Sequence, residues 1–386
     1  MSTPLSRYRW FPLLGLIALT ALACQDDTES PVEPQFSRDG RGSGRSHAFR
    51  VYTQNVYLGG DTGPIFTLDF SDIPAVLSAA NQFWGEVQAS NVPERMAEFV
   101  DEIDERRPHV VALQEVLRFV LLDASFNPTG GVDLLAAIEG EIAARGLPYE
   151  TAVIQETTSS TLPLGFDPAT GGISQWLNFT DRVVILRRSD VAVTDLAKGL
   201  YAASLPLGPV ELVRGWARLT VDHRGTPHHF VATHLETQAA RPLHDAQASE
   251  LQNNVVAGLE GVTIIAGDLN SDAAANEGEP SWTATYGNLI ADGFTDVWES
   301  SPRHRRVTGV TCCQSPNLRE NSELDERIDF ILVRSSEERA SKLSRQRGLF
   351  RAEVVGDERS DLTPSGLWPS DHAGIAATLR TLDGGR

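Results

Sequence analysis

The chain has 386 residues, of which 41% are hydrophobic and 22% are charged, and its formal net charge is -19. This composition is typical of a chain that folds around a substantial hydrophobic core, and the length allows one large domain or two ordinary ones. The acidic balance excludes a general nucleic-acid-binding surface, because an acidic surface repels polyanions on average. A phosphate substrate held locally by a metal and a few arginines remains compatible with it.

The first segment, residues 1–23, has the pattern of a signal peptide. Arg7 and Arg9 precede an apolar run from Trp10 to Ala23 that is too short to span a membrane as a helix. The run ends in ALAC and resembles a bacterial lipoprotein signal, in which Cys24 is lipidated and becomes the new N-terminus. We expect export and a lipid anchor at the outer membrane or cell surface. The alternative is an ordinary signal peptide that leaves a secreted or periplasmic protein.

Residues 24–47 are predicted to form a disordered tether, because the segment is polar and rich in Pro, Gly and Ser. Residues 48–382 are predicted to form one folded domain. Its first strand follows Phe49, where apolar and polar residues alternate as far as Asn55. A helix comes next, since four apolar residues have the spacing of one helix face: Met96, Phe99, Val100 and Ile103. VVAL then predicts a short buried strand that runs into Glu115.

The rest of the chain alternates predicted helices and strands. A second helix is expected over Val132 to Arg145, and a third is marked by Leu243, Leu251, Val255 and Leu259. HRGT predicts a hairpin turn between two of the later strands. These strands are expected at Tyr149–Gln155, Arg182–Arg187, Ala217–Val221, His228–His234, Val262–Ala266, Arg327–Val333 and Gly374–Leu379. Sheets with helices on their outer faces make this an α/β protein.

A long insertion, residues 57–92, separates the first strand from the first helix. It contains several large apolar residues, among them Phe66, Phe70, Phe83 and Trp84. One interpretation is a helical decoration with a small core of its own. The other is a lid or a lipid-facing rim above a functional site.

Polar residues recur at the ends of the predicted strands, where a buried strand would not carry them without a reason. Asp268 and Asn270 alone would fit a turn, because Asp and Asn are common in loops. The whole series predicts a set of side chains that converge on one edge: Asn55, Glu115, His234, Asp268, Asn270, Asp329, Asp371 and His372.

The ordered motifs TQNV, LQEV, ATHLE, AGDLN, RIDFIL and PSDH resemble those of the endonuclease/exonuclease/phosphatase superfamily, which has the DNase I-like fold. The resemblance spans residues 48–382. It implies a four-layered α/β sandwich, in which two packed, mostly antiparallel sheets have helices outside and the site at one end. It also implies a metal-dependent hydrolase of phosphodiesters or phosphoesters that works as a monomer.

The resemblance also implies a role for each motif residue. The metal ligands would be Asn55, Glu115 and Asp371, and the catalytic residues would be His234, Asp268, Asn270, Asp329 and His372. Carboxylate and amide oxygens suit a hard cation, so Mg²⁺ is expected, with Mn²⁺ or Ca²⁺ as alternatives. Asp329 would align His372. Whether His372 or Asp268 takes the proton of the attacking water, and whether one or two metal ions bind, stays open.

Three substrate classes share this chemistry: nucleic acid, phospholipid head groups such as sphingomyelin, and small phosphoesters such as inositol phosphates. An extracellular nuclease is favoured by the basic run SPRHRRV, with Arg303, Arg305 and Arg306, although such a run also fits a solvated face. Arg182 resembles a phosphate-binding position, and a salt-bridged structural arginine is the alternative. A different class of function is a surface-anchored lipoprotein that binds without catalysis.

Two adjacent cysteines, Cys312 and Cys313, lie before Asp329. They are predicted either to form a vicinal disulfide or to stay reduced or pair with another chain. Trp368 is expected to pack beneath the loop before His372, with stacking on a substrate as the alternative.

Overall fold

The computed structural model describes residues 47–208, 210–223, 225–302, 308–335 and 350–381. The predicted signal peptide, Cys24 and the tether up to residue 46 lie outside these residues, as do Arg303, Arg305 and Arg306. In the described ranges, no helix combines the length and the hydropathy that a membrane crossing requires.

Helices and strands alternate along the described chain. The helices are α1 (Gly63–Phe66), α2 (Ile73–Ala89), α3 (Val92–Arg106), α4 (Leu134–Ala144), α5 (Arg241–Glu250) and α6 (Thr285–Ala291). The first eight strands are β1 (His47–Asn55), β2 (Val110–Gln114), β3 (Arg118–Asp123), β4 (Pro128–Asp133), β5 (Tyr149–Asp167), β6 (Gly172–Arg188), β7 (Val193–Leu200) and β8 (Leu205–Leu207). The others are β9 (Val210–Leu212), β10 (Gly215–Asp222), β11 (Pro227–His234), β12 (Val262–Asp268), β13 (Thr295–Asp296), β14 (Asp329–Ser335), β15 (Phe350–Val355) and β16 (Gly374–Thr381).

Two large mixed sheets form the centre of the fold. The first has the order β15-β16-β1-β2-β6-β3-β4, with β5 paired to β6, and the second has the order β13-β14-β12-β11-β10-β7. Strands β8 and β9 form a small separate sheet. Two packed sheets with helices outside confirm the predicted four-layered α/β sandwich.

The two sheets face each other across a dry core because side chains alternate along each strand. In β2, Val110 and Ala112 point into this core, whereas Val111 and Leu113 point to the opposite face. Phe230 of β11 and other inward residues of the second sheet complete the layer. The outer face of the first sheet packs against α2, α3 and α4, and that of the second packs against α5 and α6.

The insertion after the first strand is helical, but it has no separate core among the described residues, so that part of the prediction is wrong. Ile65, Phe83 and Val87 are buried in the same cluster as α3 and the outer face of the first sheet. Phe83 packs on the rings of Phe119 and Phe179. The insertion is therefore the outer layer of the sandwich at this position.

Several predicted boundaries differ from the structure for local reasons. The second helix begins at Leu134 because Asp133 caps it, accepting hydrogen bonds from the backbone N–H groups of Leu135 and Ala136. The third predicted helix continues beyond Glu250 as a single π-helical turn, residues 251–255. Strands β3, β4, β7, β8, β9, β13 and β15 were not predicted. The hairpin after β10 is confirmed by the pairing of β10 with β11.

Candidate active site

The first sheet brings four predicted residues to one edge. Strands β1 and β2 are parallel, with Asn55 opposite Gln114, so Asn55 and Glu115 leave the sheet at the same end. Strand β16 is antiparallel to β1 and begins at that end, just after Asp371 and His372. The predicted strand-end position of His372 is therefore a strand-start position.

The second sheet contributes its residues to the same edge. Strands β11 and β12 are parallel and end with His234 opposite Asp268. Strand β14 is antiparallel to β12 and begins with Asp329, also opposite Asp268. Asn270 follows two residues after Asp268. The predicted strand Arg327–Val333 thus starts two residues too early, and Asp329 opens the strand.

Asp268 lies at the centre of the site and is buried. Its Oδ2 lies 3.2 Å from Nδ2 of Asn55, 3.4 Å from Nε2 of His234 and 3.9 Å from Nε2 of His372. Its Oδ1 accepts a hydrogen bond of 2.9 Å from the backbone N–H of Asn270. Contacts from both sheets therefore meet at this one carboxylate.

Glycine is required immediately before this carboxylate. Gly267 has φ +150°, and a Cβ atom there would lie 2.0 Å from the carbonyl oxygen of Thr233. The close approach of β11 and β12 at this point holds His234 next to Asp268. Any larger residue at position 267 would push the two strands apart.

Glu115 has the left-handed backbone conformation, with φ 56°. This conformation is costly for a residue with a side chain. It turns the carboxylate toward the loop after β1, where Oε2 accepts a hydrogen bond of 2.9 Å from the backbone N–H of Leu58. The loop is clamped by Arg95, a fully buried arginine that donates to carbonyl oxygens of both Val56 and Pro369. Arg95 thereby ties the loop that follows Asn55, and that binds the Glu115 carboxylate, to the segment that precedes Asp371.

His372 forms the predicted pair with Asp329. Its Nδ1 lies 2.9 Å from Oδ2 of Asp329, and both side chains are buried. Nδ1 therefore carries a proton, because a carboxylate only accepts hydrogen bonds. Nε2 is directed to Asp268. Although burial alone lowers the pKa of His372, the charges of Asp329, Asp371 and Asp268 outweigh it and raise that pKa well above its usual range.

The orientation of His234 is set by an arginine that the sequence analysis did not identify. The Nη1 atom of Arg214 lies 2.9 Å from Nδ1 of His234. A guanidinium only donates, so Nδ1 accepts, and Nε2 must carry the proton that faces Asp268. Burial and the positive charges of Arg214 and His372 keep the pKa of His234 well below its usual range, so the ring is neutral. His234 is thus a hydrogen-bond donor in the site.

Arg214 is itself held between two carboxylates. Its Nε and Nη2 donate to Glu236 at 3.1 and 3.2 Å, and Nη1 lies 3.9 Å from Asp181. Asp181 is buried, and its charge acts on Glu115. This second row of charged residues supports the residues at the strand ends. In the sequence, the only signals of these contacts are Arg214, directly before β10, and Glu236, the last residue of the ATHLE motif.

The site concentrates negative charge. Burial and the charge of Asp329 raise the pKa of Asp268 to about 7. Burial and the charge of Glu115 raise the pKa of Asp371 to about 7, against the opposing charges of His372 and Arg95. Burial and the charge of Asp181 raise the pKa of Glu115. A divalent cation bound among these carboxylates would offset their charge and favour their ionised forms at neutral pH.

The donor set fits a divalent cation of the kind that prefers oxygen ligands. Ligand atoms of Asp268, Asp329 and His372 all lie within 4.8 Å of one another. Oδ1 of Asp329 is buried and has no hydrogen-bond partner in the part of the chain that the structure describes. Glu115 and Asp371 are only partly buried, which leaves a route for an ion to enter. The predicted ligands Asn55, Glu115 and Asp371 leave the first sheet at the same edge, although neither Glu115 nor Asp371 belongs to that group of three.

Two further predicted residues have structural contacts. Arg182 is buried, and it donates to the carbonyl oxygens of Val116 and Leu117 and pairs with Asp133. These contacts fit the alternative of a salt-bridged structural arginine. Trp368 is buried and donates from its indole N–H to the carbonyl of Glu320, which fits packing rather than stacking on a substrate.

A sequence model of the endonuclease/exonuclease/phosphatase family matches residues 52–372. A search of curated proteins finds no significant match. Among solved structures, the chain is similar to an endonuclease/exonuclease/phosphatase from Beutenbergia cavernae DSM 12333, with 19% identity and a TM-score of 0.51, over 86% of this chain and 71% of that one. It is also similar to a family protein from Leptotrichia buccalis C-1013-b, with 14% identity and a TM-score of 0.50, over 87% and 99% of the two chains. At these identities the structural similarity shows the fold alone.

Proposed function

The chain belongs to the endonuclease/exonuclease/phosphatase family, a family of phosphoester hydrolases, and on this premise we propose that it is a phosphodiesterase dependent on Mg²⁺. The observation that carries the proposal is the convergence of acid, amide and imidazole groups from both sheets on Asp268. Residues fit to hold the ion are Asn55, Glu115 and Asp371. When bound, the ion offsets the negative charge that develops on the phosphate.

Asp268 is proposed as the group that takes the proton of the attacking water. Its Oδ2 faces the site, and its Oδ1 is fixed by the backbone of Asn270. A pKa of about 7 matches a base that works near neutral pH. Asn270 holds its own position by donating from Nδ2 to the carbonyl oxygen of Leu235 at 2.9 Å.

The two histidines are proposed to stabilise the phosphate as its negative charge increases. His372 carries a positive charge because Asp329 holds it, and it donates from Nε2. His234 donates from Nε2 as a neutral ring, because Arg214 occupies Nδ1. Buried donors that are already oriented lower the barrier more than donors that must reorient during the reaction.

Nucleic acid is the proposed substrate class. The support is the basic run with Arg303, Arg305 and Arg306, which precedes Asp329 in the sequence and would contact a phosphate backbone. A lipid substrate has less support, because apolar residues of the insertion such as Phe83 are buried in the core and do not form a lipid-facing rim. A panel of plasmid DNA, RNA, sphingomyelin and inositol phosphates would decide among the classes.

The test of the reaction type is hydrolysis of bis-p-nitrophenyl phosphate, with and without EDTA. We expect activity with Mg²⁺, its loss in EDTA, and its loss in the Glu115→Ala and His372→Ala variants. Asp245→Ala, which removes an exposed carboxylate on α5, serves as the matched control and should keep full activity. Full activity in either site variant, or in EDTA, would contradict the proposal. A folded wild-type protein without activity on any substrate would favour the non-catalytic binding function.

We also propose that the protein is exported and anchored through a lipid on Cys24. The support is the sequence pattern of residues 1–24. Labelling of expressing bacteria with a radioactive fatty acid should mark the protein, whereas Cys24→Ser should remove the label. An unlabelled wild-type protein recovered without residues 1–23 would indicate ordinary secretion instead.

A further inference from the structure

Two cysteines lie directly against the imidazole of His372. The Sγ atom of Cys312 lies 3.7 Å from Nε2 of His372, and that of Cys313 lies 3.9 Å from it. Their position is fixed by the fold, because the backbone of Cys312 forms isolated antiparallel β-bridges with Glu326 and with His372. The backbone N–H of Gln314 also donates to the carbonyl of Asp371 at 2.7 Å.

The three side chains lie close enough together that, once the Cys312–Cys313 disulfide is reduced, they could share one metal ion. One ligand atom from each of Cys312, Cys313 and His372 lies within 4.8 Å of the other two. Cys312 is buried and Cys313 is exposed, so the site is anchored on one side and open to solvent on the other. Asp329 holds Nδ1 of His372 and so directs Nε2 to the sulfur atoms, as a carboxylate commonly does behind a metal-bound histidine.

The chemistry of this donor set differs from that of the carboxylate cluster. Two thiolates and an imidazole are soft or intermediate ligands that select Zn²⁺, Cd²⁺ or Cu⁺, whereas carboxylate oxygens select Mg²⁺. The two clusters share only His372. An ion bound at the sulfur atoms would therefore occupy the nitrogen that faces Asp268.

We propose that Cys312, Cys313 and His372 form a site for a thiophilic cation such as Zn²⁺ or Cd²⁺, and that occupation of this site inhibits the enzyme by removing Nε2 of His372 from the reaction. The inhibition rests on the proposed function, but the binding does not. Cys312 and Cys313 are joined as a disulfide in the structure, which is one of the two states that the sequence predicted for them. In the disulfide form the site is closed, because a disulfide offers no thiolate.

Opening the site requires a two-electron reduction by a thiol or a phosphine. With a thiol, two R–SH molecules reduce the Cys312–Cys313 bond to two thiols and leave one R–S–S–R molecule. Each thiol then loses its proton as it binds the cation, and Nε2 of the His372 imidazolium releases its proton to solvent in the same step. The site thus responds both to the reducing power of its surroundings and to the concentration of thiophilic metal.

Cd²⁺ titration of the full chain tests the binding. A Cys24→Ser background leaves Cys312 and Cys313 as the only thiols. After phosphine reduction and removal of excess reductant, we expect one Cd²⁺ per chain, detected by thiolate-to-Cd²⁺ charge-transfer absorption in the ultraviolet. The untreated disulfide form should show no such absorption. Cys313→Ser alters only an exposed position and should reduce the affinity by about tenfold or more, as should His372→Ala.

Activity measured on the same preparations tests the inhibition. Equimolar Cd²⁺ should reduce hydrolysis by the reduced protein in excess Mg²⁺ by about tenfold or more, and it should inhibit the Cys313→Ser variant less. The proposed metal site would be overturned if the reduced protein showed no absorption band, or if Cys313→Ser or His372→Ala showed a band equal to that of the protein with both residues intact. A band without Mg²⁺-dependent hydrolysis would leave the site standing and contradict the proposed function instead.

Discussion

Replacing Asp268 with Asn should stabilise the metal-free protein while abolishing its activity. The ionised carboxylate of Asp268 is buried among other negative groups, and burial with the charge of Asp329 raises its pKa from 3.8 to about 7. Asn has the same shape and no charge. It can still accept the hydrogen bond from the backbone N–H of Asn270. The variant therefore removes a buried charge and keeps much of the local geometry.

The size of the effect depends on pH. In the unfolded chain Asp268 ionises near pH 4, whereas in the folded protein it ionises near pH 7, so the folded state binds more protons between these values. Wild-type stability must then fall as pH rises through this window, by about 4 kcal/mol for this one group. The contact with Nδ2 of Asn55 is lost at every pH, which costs about 1 kcal/mol. The free energy of unfolding of the variant, relative to that of the wild type, should thus increase by about 4 kcal/mol from pH 4 to pH 8.

Urea denaturation in EDTA at pH 4, 6 and 8 measures this difference. Asp245→Asn, an exposed carboxylate, is the control and should show no such trend. Adding Mg²⁺ at pH 8 should stabilise both proteins, because both keep the proposed ligands Asn55, Glu115 and Asp371, and it should stabilise the wild type more, because the ionised carboxylate of Asp268 adds a nearby negative charge. A variant that is less stable than wild type at pH 8, or a difference that does not change with pH, would refute the reasoning.

Three other substitutions probe the supporting contacts. Asp329→Asn should lower the pKa of His372 and reduce kcat by about 10²-fold or more, as pH–rate profiles and NMR titration of the ring would show; an unchanged pKa would contradict the pairing. Arg214→Met should allow the neutral ring of His234 to change tautomer, and retention of the tautomer in ¹⁵N NMR would count against the role given to Arg214. The same variant leaves buried carboxylates unpaired, so its free energy of unfolding, measured by urea denaturation, should fall by about 3–5 kcal/mol. Phe83→Ala should cost about 3–5 kcal/mol without changing kcat, and a fall in kcat at full folding would instead indicate a lid.

The strand ends that carry the site residues could be predicted from the sequence for a physical reason, whereas the four-layered fold and the role of each residue were implied by the family resemblance. A strand buried on both faces, such as β12, contains apolar residues until it leaves the sheet, so Asp268 stands out at its end. The position of Asp329 between Ile and Phe predicted that its carboxylate needs a buried partner, and the family resemblance implied that this partner is His372, as the structure has it.

Other features depend on tertiary contacts that no local pattern records. Arg214 looks like any surface arginine until β10 places it beside His234. The left-handed conformation of Glu115 depends on the loop after β1. Strand β4 was not predicted because its sequence, PTGGVD, has neither alternation nor many β-formers. The sequence could not decide whether the insertion is a lid or an outer layer, because the same apolar residues suit both. The position of the first sheet beneath them decides it.

The most direct test of the account is an anomalous difference map from crystals soaked with Mn²⁺ in place of Mg²⁺. If the site binds a divalent cation, we expect one strong peak at the shared edge of the two sheets, about 2 Å from a carboxylate oxygen of Glu115 and beside Asp268 and Asp371. A map with no peak at this edge, or a structure in which the Glu115 carboxylate is too far from Asp268 and His372 to share an ion, would contradict it.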